Sequence, residues 1–293
     1  MSIKHTINNP VLDLRPDYFI RDPAVIYHEG TYFCYHTLVE EKEGKRRLKL
    51  GLTESTDLDN WSQPIILQDS ELNFSSPGNV FRHKEKWYLC VQSYPINEGE
   101  LWGSKDSRLW LMESEDLRNW SEPKCLKQEG CTAKWSKSHR QIDPYIEKRN
   151  DSFFCFYKTE GKIGVMISKD LESWVDHDEP VLTSEQMPDS STIENPCIIH
   201  QDGSYMMFFT PCRPGRGMCM AKSEDLFHWS NIQTLSIEES FYDWAPNGPS
   251  AGMVIDDRNN SGSLLMFIHG EYDDKHGAAL AVLKSTDLLS WYS

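Results

Sequence analysis

A seven-residue pattern, Ser-x-Asp-Leu-x-x-Trp, returns five times along the chain, at Ser55–Trp61, Ser114–Trp120, Ser168–Trp174, Ser223–Trp229 and Ser285–Trp291. Successive starts lie 59, 54, 55 and 62 residues apart. A unit of that length holds one four-stranded antiparallel sheet with its turns. Five such units predict an all-β chain folded as a five-bladed β-propeller, its four-stranded blades arranged around a central channel, with residues 1–293 read as one domain.

Each pattern follows a run of strand character, such as Arg47–Thr53 or Ile163–Ile167, in which apolar residues tend to alternate with polar or small ones. The pattern itself is therefore read as a strand-to-strand turn. Ser and Asp side chains bond nearby backbone groups in such turns, and Leu and Trp supply bulk that packs between blades. By this reading the five repeated tryptophans are core residues and not sugar platforms.

Upstream of each pattern lies a pair of apolar runs joined by a polar turn, as in Asp22–Tyr35 around Glu29-Gly30 and Glu194–Met206 around Asp202-Gly203, which are hairpin signals. The first strand of each hairpin is expected to line the axis. After the pattern comes a fourth strand, often opened by proline, as at Pro64, Pro123 and Pro180. The fifth unit ends at Ser293 without one, and Pro10–Leu14 matches the missing pattern. The N-terminal stretch is thus expected to close the ring as the outer strand of the last blade.

Composition narrows the partners. A formal charge of −15 disfavours nucleic acid and anionic membranes by repulsion. The start of the chain lacks a signal peptide's apolar core and no run of eighteen apolar residues occurs, which gives a soluble, cytoplasmic expectation. The eight cysteines form no Cys-x-x-Cys pair, and Cys34, Cys90 and Cys155 lie inside apolar runs, as small buried hydrophobes do. Gly-rich phosphate loops, His-Glu-x-x-His and Gly-x-Ser-x-Gly are all absent. The run Asp256–Asn260 lacks calcium-loop spacing and reads as a hairpin turn.

Three acidic residues stand at or just before the innermost strand of their repeats, each followed closely by proline: Asp22-Pro23, Asp143-Pro144 and Glu194-Asn195-Pro196. Repeat symmetry brings them to one mouth of the channel. Like charges converging on a concave site cost energy that a purely structural protein avoids. Such a cluster suits glycosidic bond cleavage, in which one protonated carboxyl serves the leaving oxygen and an ionised carboxylate activates water from the opposite face.

The ordered trio, set across five Ser-x-Asp-Leu-x-x-Trp units, resembles glycoside hydrolase family 43 and its relatives, families 32, 62 and 117, over essentially the whole chain. The resemblance implies Asp22 as general base, Asp143 as the residue that tunes the acid and orients substrate, and Glu194 as general acid. It also implies inversion, with the base and acid carboxyls about 6.5 to 9.5 Å apart. Arabinofuranosides or xylosides of plant or algal polysaccharides are the default substrates it suggests. The chain departs from the family in opening blade two with Ser75-Ser76-Pro77-Gly78 and carrying Trp244-Ala245-Pro246 before blade five, and in having Glu-Asn-Pro at the acid.

Further contacts to an oligosaccharide are expected from Trp135 stacking on a sugar face, from His139, from Arg140 holding a hydroxyl or carboxylate, and from Arg21 and Arg213, which suit an anionic sugar. Trp244, His36 and His269 are further candidates, and Arg216 is read as solvated. In similar enzymes a blade-five histidine binds a central calcium through water, so His269 is the candidate metal contact; no other cofactor is required. Two alternatives stay open: a mannoside phosphorylase-like propeller in which phosphate replaces water, and a carbohydrate-binding propeller without catalysis. The sequence leaves the oligomeric state undetermined.

Overall fold

The computed structural model describes residues 6–42, 44–98, 100, 103–213, 217–272 and 277–293; Arg216 lies outside them. Five antiparallel sheets follow one another along the chain. Blade one is β1 (Phe19–His28), β2 (Thr31–Lys42), β3 (Lys45–Ser55) and β4 (Ile65–Gln68), and blade two is β5 (Val80–His83), β6 (Lys86–Gln92), β7 (Leu109–Ser114) and β8 (Lys124–Cys125). Blade three is β9 (Ile142–Arg149), β10 (Ser152–Thr159), β11 (Lys162–Ser168) and β12 (Val175–Asp176). Blade four is β13 (Thr192–Gln201), β14 (Ser204–Cys212), β15 (Cys219–Ser223) and β16 (Ser230–Thr234). A short β17 (Ser236–Ile237) and the one-turn helix α1 (Ser240–Trp244) lead into blade five, β18 (Gly248–Asp256), β19 (Leu264–Glu271) and β20 (Ala278–Ser285), and β21 (Ser290–Trp291) pairs in parallel with β17. The architecture is a five-bladed β-propeller.

The repeated pattern builds the same turn in all five places. In the first, Ser55 Oγ accepts the Leu58 amide at 2.9 Å, Asp57 Oδ1 accepts the Asn60 amide at 2.8 Å, and Trp61 Nε1 donates to Leu58 O at 2.9 Å. The leucine adopts a left-handed conformation every time, with φ of 72°, 66°, 65°, 75° and 71° at Leu58, Leu117, Leu171, Leu226 and Leu288. That conformation costs a non-glycine residue on the order of 1 kcal/mol, and the Ser and Asp side-chain bonds offset it. Each tryptophan then packs against the preceding blade: Trp61 meets Phe267, Trp120 meets Tyr35, Trp229 meets Phe156 and Trp291 meets Phe208, all edge-on. Trp174 packs in a cluster that includes Cys90, the small residue at the matching place in blade two.

The outer edge of β20 is met by the N-terminal stretch. Val11 N donates to Leu280 O at 2.8 Å and Leu280 N to Leu12 O at 2.9 Å, while the Asn9 amide exchanges two 2.9 Å bonds with the Val282 backbone. Ile7 and Leu12 are buried against Leu265, Phe267, Leu280 and Val282.

The five inner strands share a second device. Asp22, Ser76, Asp143, Asn195 and Ala251 all have positive φ, between 39° and 53°, and their neighbourhoods line a narrow axial cavity of about 30 Å³. One residue earlier, the inner strand pairs with a fixed position on the second strand: Arg21 with Thr37, Ser75 with Gln92, Ile142 with Lys158, Glu194 with Thr210 and Ser250 with His269. Four of these second-strand side chains reach the next blade and accept a backbone N–H. Thr37 takes Ser76 at 2.8 Å, Gln92 takes Asp143 at 2.8 Å, Thr210 takes Ala251 at 2.9 Å and His269 takes Asp22 at 3.2 Å. This belt satisfies buried backbone donors that regular pairing leaves open. Lys158 breaks the pattern, because an ammonium group has no acceptor to offer. Blades two and three meet so closely that a Cβ on Gly78 would lie 1.8 Å from Pro144 O, so only glycine fits there.

Candidate active site

Above the axial ring opens a cavity of about 360 Å³ lined by Asp22, Asp143 and Glu194 together with Arg21, Arg46, Arg140, Lys158, Gln92 and Tyr94. The three acids from blades one, three and four share this space. They lie within β1, β9 and β13, not ahead of them, and only two are repeat equivalents: the blade-four counterpart of Asp22 and Asp143 is Asn195. Glu194 occupies the position of Arg21 and Ile142, one residue earlier, and the strand irregularity beside it leaves both Glu194 and Asn195 lining the cavity.

The environments of the three carboxyls differ. Asp22 Oδ2 accepts hydroxyl bonds from Thr37 at 2.9 Å and Ser76 at 3.0 Å, and its Oδ1 stands 3.9 Å from His269 Nδ1. Asp143 is only 7% exposed. Burial, reinforced by the charges of Glu194 and Asp22 and opposed by Lys158 and Arg140, pushes its carboxyl up to about 7. Glu194 is ion-paired and hydrogen-bonded to Lys158. Burial works against the charge on Lys158, but Glu194 and Asp143 outweigh it and hold the ammonium above its ordinary value.

Other expected site residues divide sharply. Arg21 and Arg140 line the cavity, and Arg21 is held by Glu271 at 2.8 Å. His36 does not line it: the ring is fully buried in β2 against Gly51, where a Cβ would lie 2.6 Å from it, and burial holds its pKa down at about 3. Trp135 packs over Gly164 of β11, and Trp244 packs over Gly270 of β19 and against Phe241. His139 braces its own loop by bonding Cys131 O at 2.8 Å, and Arg213 pairs with Asp189 at 2.7 Å. None of these five is among the residues lining the cavity. The indoles of Trp135 and Trp244 are taken up by packing on glycines of neighbouring strands.

His269 is fully buried, and because Nδ1 accepts the Asp22 amide, its proton is assigned to Nε2, which faces Glu271 Oε1 at 3.6 Å. Burial lowers its pKa, with Arg21 in the same sense and Glu271 and Asp22 opposed. Neither ring nitrogen has a lone pair left for a metal, and among the described residues no group of three or more His, Cys, Asp or Glu side chains could hold an ion. The neutral ring thus offers no lone pair for direct ligation, and the contact that the resemblance implies is the different one made through a water.

Lys158, Thr37, Ser76, Gln92 and Glu271 escaped the sequence reading. For Thr37, Gln92 and Lys158 a signal was present: a polar residue two places beyond Tyr35, Cys90, Phe156 and Phe208 in the second strand of its repeat, which aligned repeats display as one column.

Several solved structures with this arrangement of blades carry the names of sugar-cleaving enzymes. An exo-1,5-α-L-arabinanase from a bovine ruminal metagenomic library superposes with a TM-score of 0.68 at 14% identity, covering 94% of this chain and 96% of that one. A thermostable family 43 glycoside hydrolase gives 0.68 at 18% identity over 98% and 96%, and a family 43 endo-arabinanase from Bacillus licheniformis gives 0.66 at 16% over 96% and 100%. The fold is that of the family 43 glycoside hydrolases. No family model matches the sequence. A curated relative, 1,2-β-oligomannan phosphorylase from Thermoanaerobacter sp. (strain X514), is 24% identical in a 143-residue alignment that covers 45% of this chain and 40% of that protein's length.

Proposed function

We propose that the protein cleaves glycosidic bonds with inversion, using the carboxyls of Asp22, Asp143 and Glu194. The observation that carries the reading is their different treatment in one cavity: Asp22 fixed by two hydroxyl donors, Asp143 buried and raised to about 7, Glu194 paired with Lys158. Asp22 is the base. Its Oδ2 is immobilised, and Oδ1 is directed to take a proton from the attacking water. The leaving oxygen needs a group that carries a proton near neutral pH. Lys158 opposes protonation of Glu194, so the proton resides on Asp143 and Glu194 acts as the charged neighbour that keeps it there. This exchanges the two roles implied by family resemblance.

Aryl glycosides with good and poor leaving groups test the assignment, beginning with arabinofuranosides and xylosides. Asp22→Asn should abolish turnover on all of them. Asp143→Asn should lose poor leaving groups while sparing activated ones, because the latter depart without a proton. Sparing by Glu194→Gln instead would return the acid role to Glu194, and equal loss for both substrate types in both variants would remove acid catalysis from either residue.

Phosphorolysis is a second reading, favoured by the cationic wall of Arg21, Arg46, Arg140 and Lys158 and by the similarity to the oligomannan phosphorylase. Release of a sugar phosphate that requires added inorganic phosphate distinguishes it from hydrolysis.

A further inference from the structure

Four cations line the cavity, and three of them face a carboxylate: Arg21 faces Glu271, Arg46 faces Glu41 and Lys158 faces Glu194. Arg140 is different. Its guanidinium lies over the Tyr94 ring, 5.4 Å from the centroid, and its Nε is buried. Among the described residues that guanidinium makes no hydrogen bond or ion pair.

A buried N–H left without an acceptor costs on the order of 1 to 3 kcal/mol. Asp143 is close enough for its charge to act on Arg140, but burial pushes its carboxyl toward the neutral form and the two make no ion pair among the described residues. A neutral sugar offers the guanidinium hydroxyl acceptors but no charge to compensate its own. A planar oxyanion fits the guanidinium fork with two parallel hydrogen bonds. Tyr94 beneath the guanidinium holds the plane in place.

Resting on the glycoside-cleaving reading above, we infer that Arg140 is the receptor for an oxyanion carried by the substrate, which makes the substrate an acidic glycoside. The charged group belongs to the sugar seated next to Asp143, with a carboxylate the best geometric match to the fork. The cavity's other cations already have anionic partners, so the selectivity resides in Arg140.

Titration calorimetry on the full chain tests this at constant ionic strength. The probes are methyl glycosides of glucuronic and galacturonic acid, their neutral glucose and galactose counterparts, and inorganic phosphate alone. An acidic glycoside should bind roughly 10- to 100-fold tighter than its neutral counterpart, the range that one charge-assisted pair supports. Arg140→Gln should erase that preference and Arg140→Lys should keep part of it, with each variant's melting temperature confirming that it folds. Glycoside binding without charge preference, or a preference that survives Arg140→Gln, overturns the inference and leaves the cavity a sugar site. Arg140-dependent binding of phosphate alone also overturns it, moving the anion to a co-substrate. If no glycoside binds and no aryl glycoside is turned over, the glycoside reading itself fails.

Discussion

Lys158 is ion-paired with Glu194 at the one blade junction where the belt of side-chain acceptors is interrupted. In the other four, a Thr, Gln, Thr or His accepts a backbone N–H from the next blade. One substitution in a repeated column thus turns a structural contact into a charged one inside the cavity.

Removing one partner of that pair strands the other. Lys158→Met should destabilise the protein by about 3 to 5 kcal/mol, since it leaves a part-buried carboxylate unpaired, whereas the Lys158→Met/Glu194→Gln double variant should recover most of that loss. Urea unfolding of the four species closes the cycle, and additivity within about 0.5 kcal/mol would show that the two groups are uncoupled.

Stability should fall as pH rises toward neutrality. Burial, with neighbouring charges in the case of Asp143, raises Asp143 and Glu147 to about 7. A carboxyl raised on folding is protonated in the native state while already ionised in the unfolded chain. Its contribution is therefore full below the ordinary carboxyl range and is lost between about pH 4 and 7, with a slope of up to about 1.4 kcal/mol per pH unit for each group. Denaturant midpoints across that window should flatten partly in Asp143→Asn and further when Glu147→Gln is added.

His36 should act in the opposite direction. Its ring is fully buried, and burial holds its pKa at about 3. The contribution of a histidine lowered on folding is present above its ordinary value near 6.5 and lost as pH falls toward 3. Both ring nitrogens lack a hydrogen-bond partner among the described residues. His36→Leu should accordingly leave stability at pH 7 unchanged or higher and reduce the acid-side loss, as read from melting temperatures at pH 4, 5 and 7.

Deleting residues 1–15 should open blade five. Ile7 and Leu12 alone bury side chains worth about 3 to 6 kcal/mol together, and the backbone of β20 loses its bonds to Val11 and Leu12. A large drop in melting temperature is expected. An unchanged value would mean that β20 tolerates a bare edge.

The repeat made the fold legible. Five copies of one turn, spaced by one sheet's length, allow little but a ring of blades, because each leucine and tryptophan needs the blade before it as a packing partner. Alternation along the strands and the positions of Asp22 and Asp143 followed from the same symmetry, while Glu194 stands one residue ahead of its repeat place. Single side chains off that symmetry did not: nothing local distinguishes Trp135, which packs over Gly164, from a ring facing the channel.

The sequence by itself determined the number of blades and which three strands carry acids to the axis, since both depend on period and order alone. Only the tertiary structure decided the state of those acids. Protonation depends on burial and on charges from other blades, and it took the folded ring to set Lys158 beside Glu194, Thr37 and Ser76 on Asp22, and Arg140 in the cavity with no ion pair among the described residues.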